Sequence, residues 1–191
     1  MGFFTPAWKS VKLILFALGM GAWLLAAAED AFVVRYARLL RQSDAFALTA
    51  KIDYRFNPTV IEALETGVPL TLTVKTRIRQ PRWGWWDATV WRRDLDFRVQ
   101  YYPLAKVYRV VDESSNFHRS FAQLEAALSA LGDLQQVILP VAEDWQPGPG
   151  CYAEVVAKLN LERLPWALRV LAYFSSSWRL RSSPYRWPLS E

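Results

Sequence analysis

Cysteine occurs once in this chain, at Cys151, and histidine once, at His118. A lone cysteine excludes an internal disulfide, so stability rests on an ordinary core. A lone imidazole without a cysteine cluster excludes the common zinc ligand sets, and neither a metal nor a cofactor is expected. There is no glycine-rich phosphate cradle and no acidic calcium loop. Beyond residue 28 lysine is scarce too: Lys51, Lys75, Lys106 and Lys158 stand against seventeen arginines. Arginine stacks on aromatic rings and grips carboxylate or phosphate through two parallel hydrogen bonds, which lysine cannot do. No linker, repeat or low-complexity stretch interrupts residues 29–191.

The N-terminus carries the one long apolar run. Lys9 and Lys12 precede Leu13–Ala28, which ends in three alanines before Glu29 and Asp30. Basic residues, an apolar stretch and small residues in that order are the parts of an export signal. A permanent anchor is the alternative, yet sixteen helical residues reach only about 24 Å against a hydrocarbon core of about 30 Å. Cleavage after Ala28 is therefore the favoured reading. In either case the two lysines stay in the cytoplasm and residues 29–191 form one extracytoplasmic domain. Membrane contact is expected only through residues 13–28, if they are retained. The net charge of +5 falls to +3 when the two leader lysines are lost. So mild an excess, on an exported domain, argues against nucleic acid.

Alternation dominates the rest. Phe46, Leu48, Ala50, Ile52, Tyr54 and Phe56 share one face of residues 45–56, opposite Thr49, Lys51, Asp53 and Arg55. Leu70, Leu72, Val74 and Ile78 point inward, with Thr71, Thr73, Lys75, Arg77 and Arg79 outward. Ala153, Val155, Ala157, Leu159 and Leu161 repeat the pattern over residues 151–161, and on that parity Cys151 is a buried small hydrophobe. Leu95, Phe97, Val99 and Tyr101 mark a strand that turns at 102–105 and returns as Val107–Val111. Adjacent Val90 and Trp91 predict a bulge near Arg92-Arg93. Asn57-Pro58 and Gly67 bound a helix at 58–66. The capping box Ser120-Phe121-Ala122-Gln123 opens another at 120–131, stopped by Gly132. Residues 32–40 and 165–174 fit helix or strand. The expected fold is β-rich α+β: an antiparallel sheet or sandwich of about seven to eight strands with two short helices.

The unusual chemistry lies between Arg77 and Arg93. Trp83, Trp85, Trp86 and Trp91 are surrounded there by Arg77, Arg79, Arg82, Arg92 and Arg93. Trp178, Arg179, Arg181, Tyr185, Arg186 and Trp187 echo the composition near the C-terminus. Indole and guanidinium planes suit protein hot spots, sugar rings and anionic head groups. The candidate binding residues are Trp83, Trp85, Trp86, Trp91, Arg79, Arg82, Arg92, Arg93, Trp178, Arg179 and Arg181. The structural alternative has Trp83, Trp85 and Trp86 closing the sheet end over the loop at Trp145. No residue is assigned as catalytic. Asp112, Ser114, Ser115, His118 and Ser120 hold triad ingredients but crowd one short connection, as a polar turn would. Asp94 and Asp96 lie two apart on a strand, about 6.5–7 Å between them, a glycosidase-like spacing that leaves a hydrolase as a minor alternative. Arg92 and Arg98 on the same face make a neutralised surface the simpler account.

In order along the chain, the strand at 45–54, E-A-L-E-T-G-V-P-L-T-L at 62–72 and P-R-W-G-W-W-D at 81–87 are followed by Y-R-V at 108–110, S-F-A-Q-L-E-A-A-L at 120–128 and S-S-W-R-L at 176–180. This series resembles a family of small exported proteobacterial proteins, the domain-of-unknown-function family 4390. The resemblance implies no activity, cofactor or catalytic residue. It implies a periplasmic protein, or an inner-membrane-anchored one facing the periplasm, and a link to a membrane sensor kinase. It also implies that residues 32–40 form the first arm of a hairpin closed by Gln42-Ser43-Asp44. The functional expectation is a non-catalytic interaction or accessory module of the cell envelope. Its partner would be an envelope protein or, in the alternative, an anionic glycan or lipid head group.

Overall fold

Alternation over residues 45–54, broken only by the apolar Ala45 and Ala47, makes a strand whose even-numbered side chains are all buried, and this strand organises one of two antiparallel sheets. In this computed structural model, which describes residues 31–42, 44–84, 86–141 and 148–189, that sheet has the order β1-β2-β7. Its strands are β1 (Phe32–Gln42), β2 (Ala45–Tyr54) and β7 (Asp133–Pro140). The second sheet has the order β6-β5-β4-β3-β8-β9. It contains β3 (Leu70–Gln80), β4 (Ala88–Tyr102), β5 (Val107–Asp112), β6 (His118–Phe121), β8 (Tyr152–Leu159) and β9 (Tyr185–Pro188). Helices α1 (Pro58–Glu65), α2 (Leu124–Gly132) and α3 (Trp166–Phe174) join them, with 3-10 turns at Leu161–Arg163 and Ser176–Trp178. The fold is β-rich α+β. The leader and anchor readings of residues 1–28, and the positions of Trp85 and Trp145, lie outside the described residues.

Both sheets feed one core. Phe46, Leu48 and Ile52 of β2 join Leu72, Val74 and Ile78 of β3, Leu95, Phe97 and Val99 of β4, and Val155 and Leu159 of β8. Each such side chain contributes about 1.5–3 kcal/mol when fully buried. The rings of Phe46 and Trp91 meet edge to face at 5.3 Å and tie the sheets together. Cys151 is buried at the entrance to β8, as its parity predicts.

Three irregularities keep the apolar faces inward. In β1, Val34 pairs with Ile52 and Tyr36 with Lys51, so Arg35 is extra and burial passes from Phe32 and Val34 to Ala37 and Leu39. In β4, Trp91 pairs with Ile78 and Thr89 with Arg79, which puts the bulge at Val90, before the predicted Arg92-Arg93. In β7, the step from Leu134 to Val137 spans two residues opposite Thr49, with Gln136 at φ 49°.

The helices correct one expectation. Asn57 caps α1 as expected, its Oδ1 accepting from the Val60 amide at 3.0 Å, and Gly67 follows at φ 90°. The second helix does not begin at Ser120. Residues 118–121 are β6, where Ser120 pairs with Arg109, and the helix starts at Leu124 behind Gln123, which makes no side-chain cap. Ladder pairing to β5 outcompetes the capping box. Residues 165–174 resolve as a helix.

Gly132 closes α2 for a different reason from Gly67: a Cβ there would lie 1.9 Å from the Ile52 carbonyl oxygen of β2. The helix end and the strand backbone are in direct apposition. Gly132→Ala is expected to lower unfolding stability by about 1–3 kcal/mol in urea denaturation, as overpacking does. Asn57→Ala is expected to cost about 1 kcal/mol through loss of the cap.

Candidate functional site

The β3–β4 hairpin ends in the tryptophan-rich segment. Pro81 cannot extend the β3 ladder, and Gly84 adopts φ 76°, a left-handed conformation that glycine takes without strain. The resulting tip holds Arg82, Trp83 and Trp86 outward. Trp83 is 100% exposed and Trp86 95% exposed. These two do not form the lid over the sheet end that the structural alternative expected. Trp91 behaves otherwise: it is half-buried against Phe46 and belongs to the core.

A braced, positively charged base supports the tip. Cross-strand pairing sets Arg77 of β3 opposite Glu154 of β8, and Glu154 opposite Arg186 of β9. Glu154 is 3% exposed. Arg186 Nε donates to its Oε2 at 2.8 Å, while Arg79 and Arg77 approach Oε1 at 3.6 and 3.9 Å. One buried carboxylate thus positions three guanidinium groups, with a surplus of two positive charges. Beside them the Tyr152 hydroxyl donates to Asp87 Oδ2 at the root of the tip, and Arg186 lies 5.8 Å from the Tyr152 ring centre. Burial first, then the hydrogen bond to Asp87 and its negative charge, push the Tyr152 phenol up, so it remains a donor. Arg92 and Arg93 are exposed along β4 and share a cleft of about 550 Å³ with Lys75, Arg77 and Asp94.

The C-terminal echo divides. Because β9 runs antiparallel to β8, Arg186 and Trp187 return to the tip end, with Trp187 paired to Ala153. Trp178, Arg179 and Arg181 do not join the tip. The Leu159 amide bonds to the Leu180 carbonyl at the far end of β8, about 23 Å from Tyr152 at strand rise. Trp178 is buried, and Arg179 donates to the Tyr173 carbonyl at 3.0 Å. The residues grouped as binding candidates therefore lie in two separate regions.

Neither catalytic alternative gains a site. Asp94 faces Lys75 at 3.5 Å, and Asp96 accepts from the Thr73 hydroxyl and lies 3.5 Å from Arg163; the cleft beside Asp94 does not include Asp96. Asp112 accepts from the Ser114 amide and from the Ser114 and Ser115 hydroxyls, a turn motif. Burial opposes ionisation of Asp112, but those bonds outweigh it and hold its carboxyl below the usual range. His118 is exposed on β6. Among the described residues no group of three or more His, Cys, Asp or Glu could hold a metal, and no helix is long and apolar enough to cross a membrane.

Sequence reasoning missed Glu154. Its signal was an acid on the outward parity of β8, legible only once Arg77 and Arg186 are known to flank it. An exposed aromatic–arginine hairpin on a β-rich α+β domain is the class of structure that emerges. The chain belongs to the family described as Domain of unknown function (DUF4390), whose family model matches residues 29–188. No curated protein and no solved structure matches it.

Replacing Glu154 by Gln leaves three guanidinium groups without their common anion. We expect a loss of about 1.5–3 kcal/mol, the range for hydrogen bonds to charged groups, measured by chemical denaturation. Glu154→Asp, which keeps the charge, is expected to recover part of it.

Proposed function

We propose that this protein is a non-catalytic, exported interaction module of the bacterial envelope, working in the periplasm and engaging a protein partner through the β3–β4 tip. The observation that carries this reading is the full exposure of Trp83 and Trp86 on a hairpin whose base is held by Glu154. Two indoles in water are costly unless they have a partner, and rigid indoles beside arginines are what binding hot spots are made of. The fixed cations at the base favour a partner with an acidic or carbonyl-rich surface. The extracytoplasmic part of a membrane sensor kinase is the candidate to which the family resemblance points. A second reading rests on the same exposed rings: indole faces stack on sugars, so an anionic glycan or lipid head group could occupy the tip.

A photo-crosslinking residue in place of Trp83, in the full chain within its native cells, is expected to give discrete adducts with an envelope protein. The same residue at Leu104, on the opposite hairpin turn, is expected to give none. Adducts with glycan and none with protein would select the second reading. If Trp83→Ala/Trp86→Ala still recovers the same partners in a pull-down, neither reading holds at this tip.

A further inference from the structure

Helix α3 is inverted with respect to an ordinary surface helix. Its inward side is supplied by Ala172, the one fully buried residue among its nine, with Leu168 half-covered beside it. Trp166, Val170 and Phe174, spaced four apart, line the outward side with exposures of 81%, 56% and 87%. Leu171 and Tyr173 flank that stripe and are also exposed. The helix packs chiefly against the two 3-10 turns on either side of it, so it stands as a ridge and not as the wall of a groove. A ridge of tryptophan, phenylalanine and aliphatic side chains has the composition of a helix lying in a bilayer interface.

Charge and chain path select the occupant. Between Glu162 and Glu191 the sequence contains no acidic residue; of the arginines in or next to that interval, Arg163 faces Asp96 and Arg186 sits on Glu154 at the tip end, which leaves Arg169, Arg179 and Arg181 at this end. Arg169 bonds to the Leu164 carbonyl and Arg179 to the Tyr173 carbonyl, which fixes a guanidinium at each end of the helix. Such a border repels a basic surface and attracts anionic head groups. Arg179 and Arg181 also line a cleft of about 630 Å³ that includes Ala31. The apolar run 13–28 ends only two residues before Ala31, so this end of the domain is the one delivered next to the bilayer, whether the run is later cleaved or kept.

We infer that α3 is a membrane-docking element: its Trp166–Val170–Phe174 face enters the interface of an anionic bilayer, with Arg169, Arg179 and Arg181 at the head groups. This surface is distinct from the Trp83–Trp86 tip and does not depend on what that tip binds. It also extends membrane contact beyond residues 13–28.

The test uses the full chain, with Cys151→Ala, reconstituted in phosphatidylglycerol-containing vesicles and spin-labelled at Val170→Cys, Phe174→Cys or, as a reference, Leu104→Cys. The labels at 170 and 174 are expected to be several-fold less accessible to a water-soluble nickel relaxant, and more accessible to oxygen, than the label at 104. Vesicles of neutral phosphatidylcholine are expected to reduce that protection. Equal nickel accessibility at all three positions would overturn the inference. So would protection accompanied by strong coupling between labels, which would mean a second copy covers the helix. Undiminished protection on neutral vesicles would overturn the assignment to anionic head groups. The three labelled positions are exposed, and the buried Cys151→Ala change is common to every sample, so differences between labels do not come from the core.

Discussion

The constraint on which the fold depends is parity. A strand presents alternate side chains to opposite faces, so a slip of one residue exchanges the whole core face for the solvent face. Here two sheets supply one core, and β2, β3, β4 and β8 must all keep the correct parity. β2 and β3 do so without an extra residue of their own. β1, β4 and β7 do so only through an extra residue, at Arg35, at Val90 and within Gln135-Gln136. The bulges are therefore part of the specification of this core. Val90 also determines which way the start of β4 leaves the tip.

The electrostatic arrangement follows from the same geometry. Glu154 lies on the outward parity of β8 and is nevertheless buried, because guanidinium groups from the flanking strands β3 and β9 fold over it. A buried charge is tolerated when it is paired and hydrogen-bonded. Here the pairing also gathers three long side chains at the root of the β3–β4 hairpin, Arg186 through a hydrogen bond and Arg77 and Arg79 through charge. Side-chain freedom lost on binding is a cost, and groups already held in place on folding have less of it to lose.

Legibility in the sequence tracks these same features. The strands whose apolar residues recur at every second position, read at 45–56, 70–79, 95–101 and 151–161, were open to direct reading although Thr76 and Val156 break the alternation, as were the Asn57 cap and the Gly67 stop. β1 was ambiguous because the extra residue at Arg35 makes Phe32, Tyr36 and Leu39 look helically spaced, and resemblance, not period, identified it. β7 gave no signal, since Gln135-Gln136 breaks its pattern. β6 was hidden under a capping box whose local preference lost to the ladder with Arg109. At the site, composition marked the Arg77–Arg93 segment but could not say which indoles face water: Trp83 and Trp86 do, while Trp91 and Trp178 are drawn into packing. Nor could it show that the echo at 178–187 runs the length of β8, which assigns its two ends to different regions.

That last feature has a metric consequence. β8 separates the tip end of the molecule, at Tyr152, from the α3 end, at Leu159, by a rigid hydrogen-bonded span of about 23 Å. β3 pairs with it along its whole length and β9 at Tyr152–Val155, so β8 is a spacer of set length between its own two ends. Such a spacer is adjustable only in coarse steps. A single inserted residue would either reverse its faces or be taken up as a bulge, as at Arg35 and Val90, and only a pair, worth about 6.6 Å, changes the length of the regular strand with its faces kept. A contact made at one end and a contact made at the other are thereby held at a quantised distance, which a flexible tether could not impose.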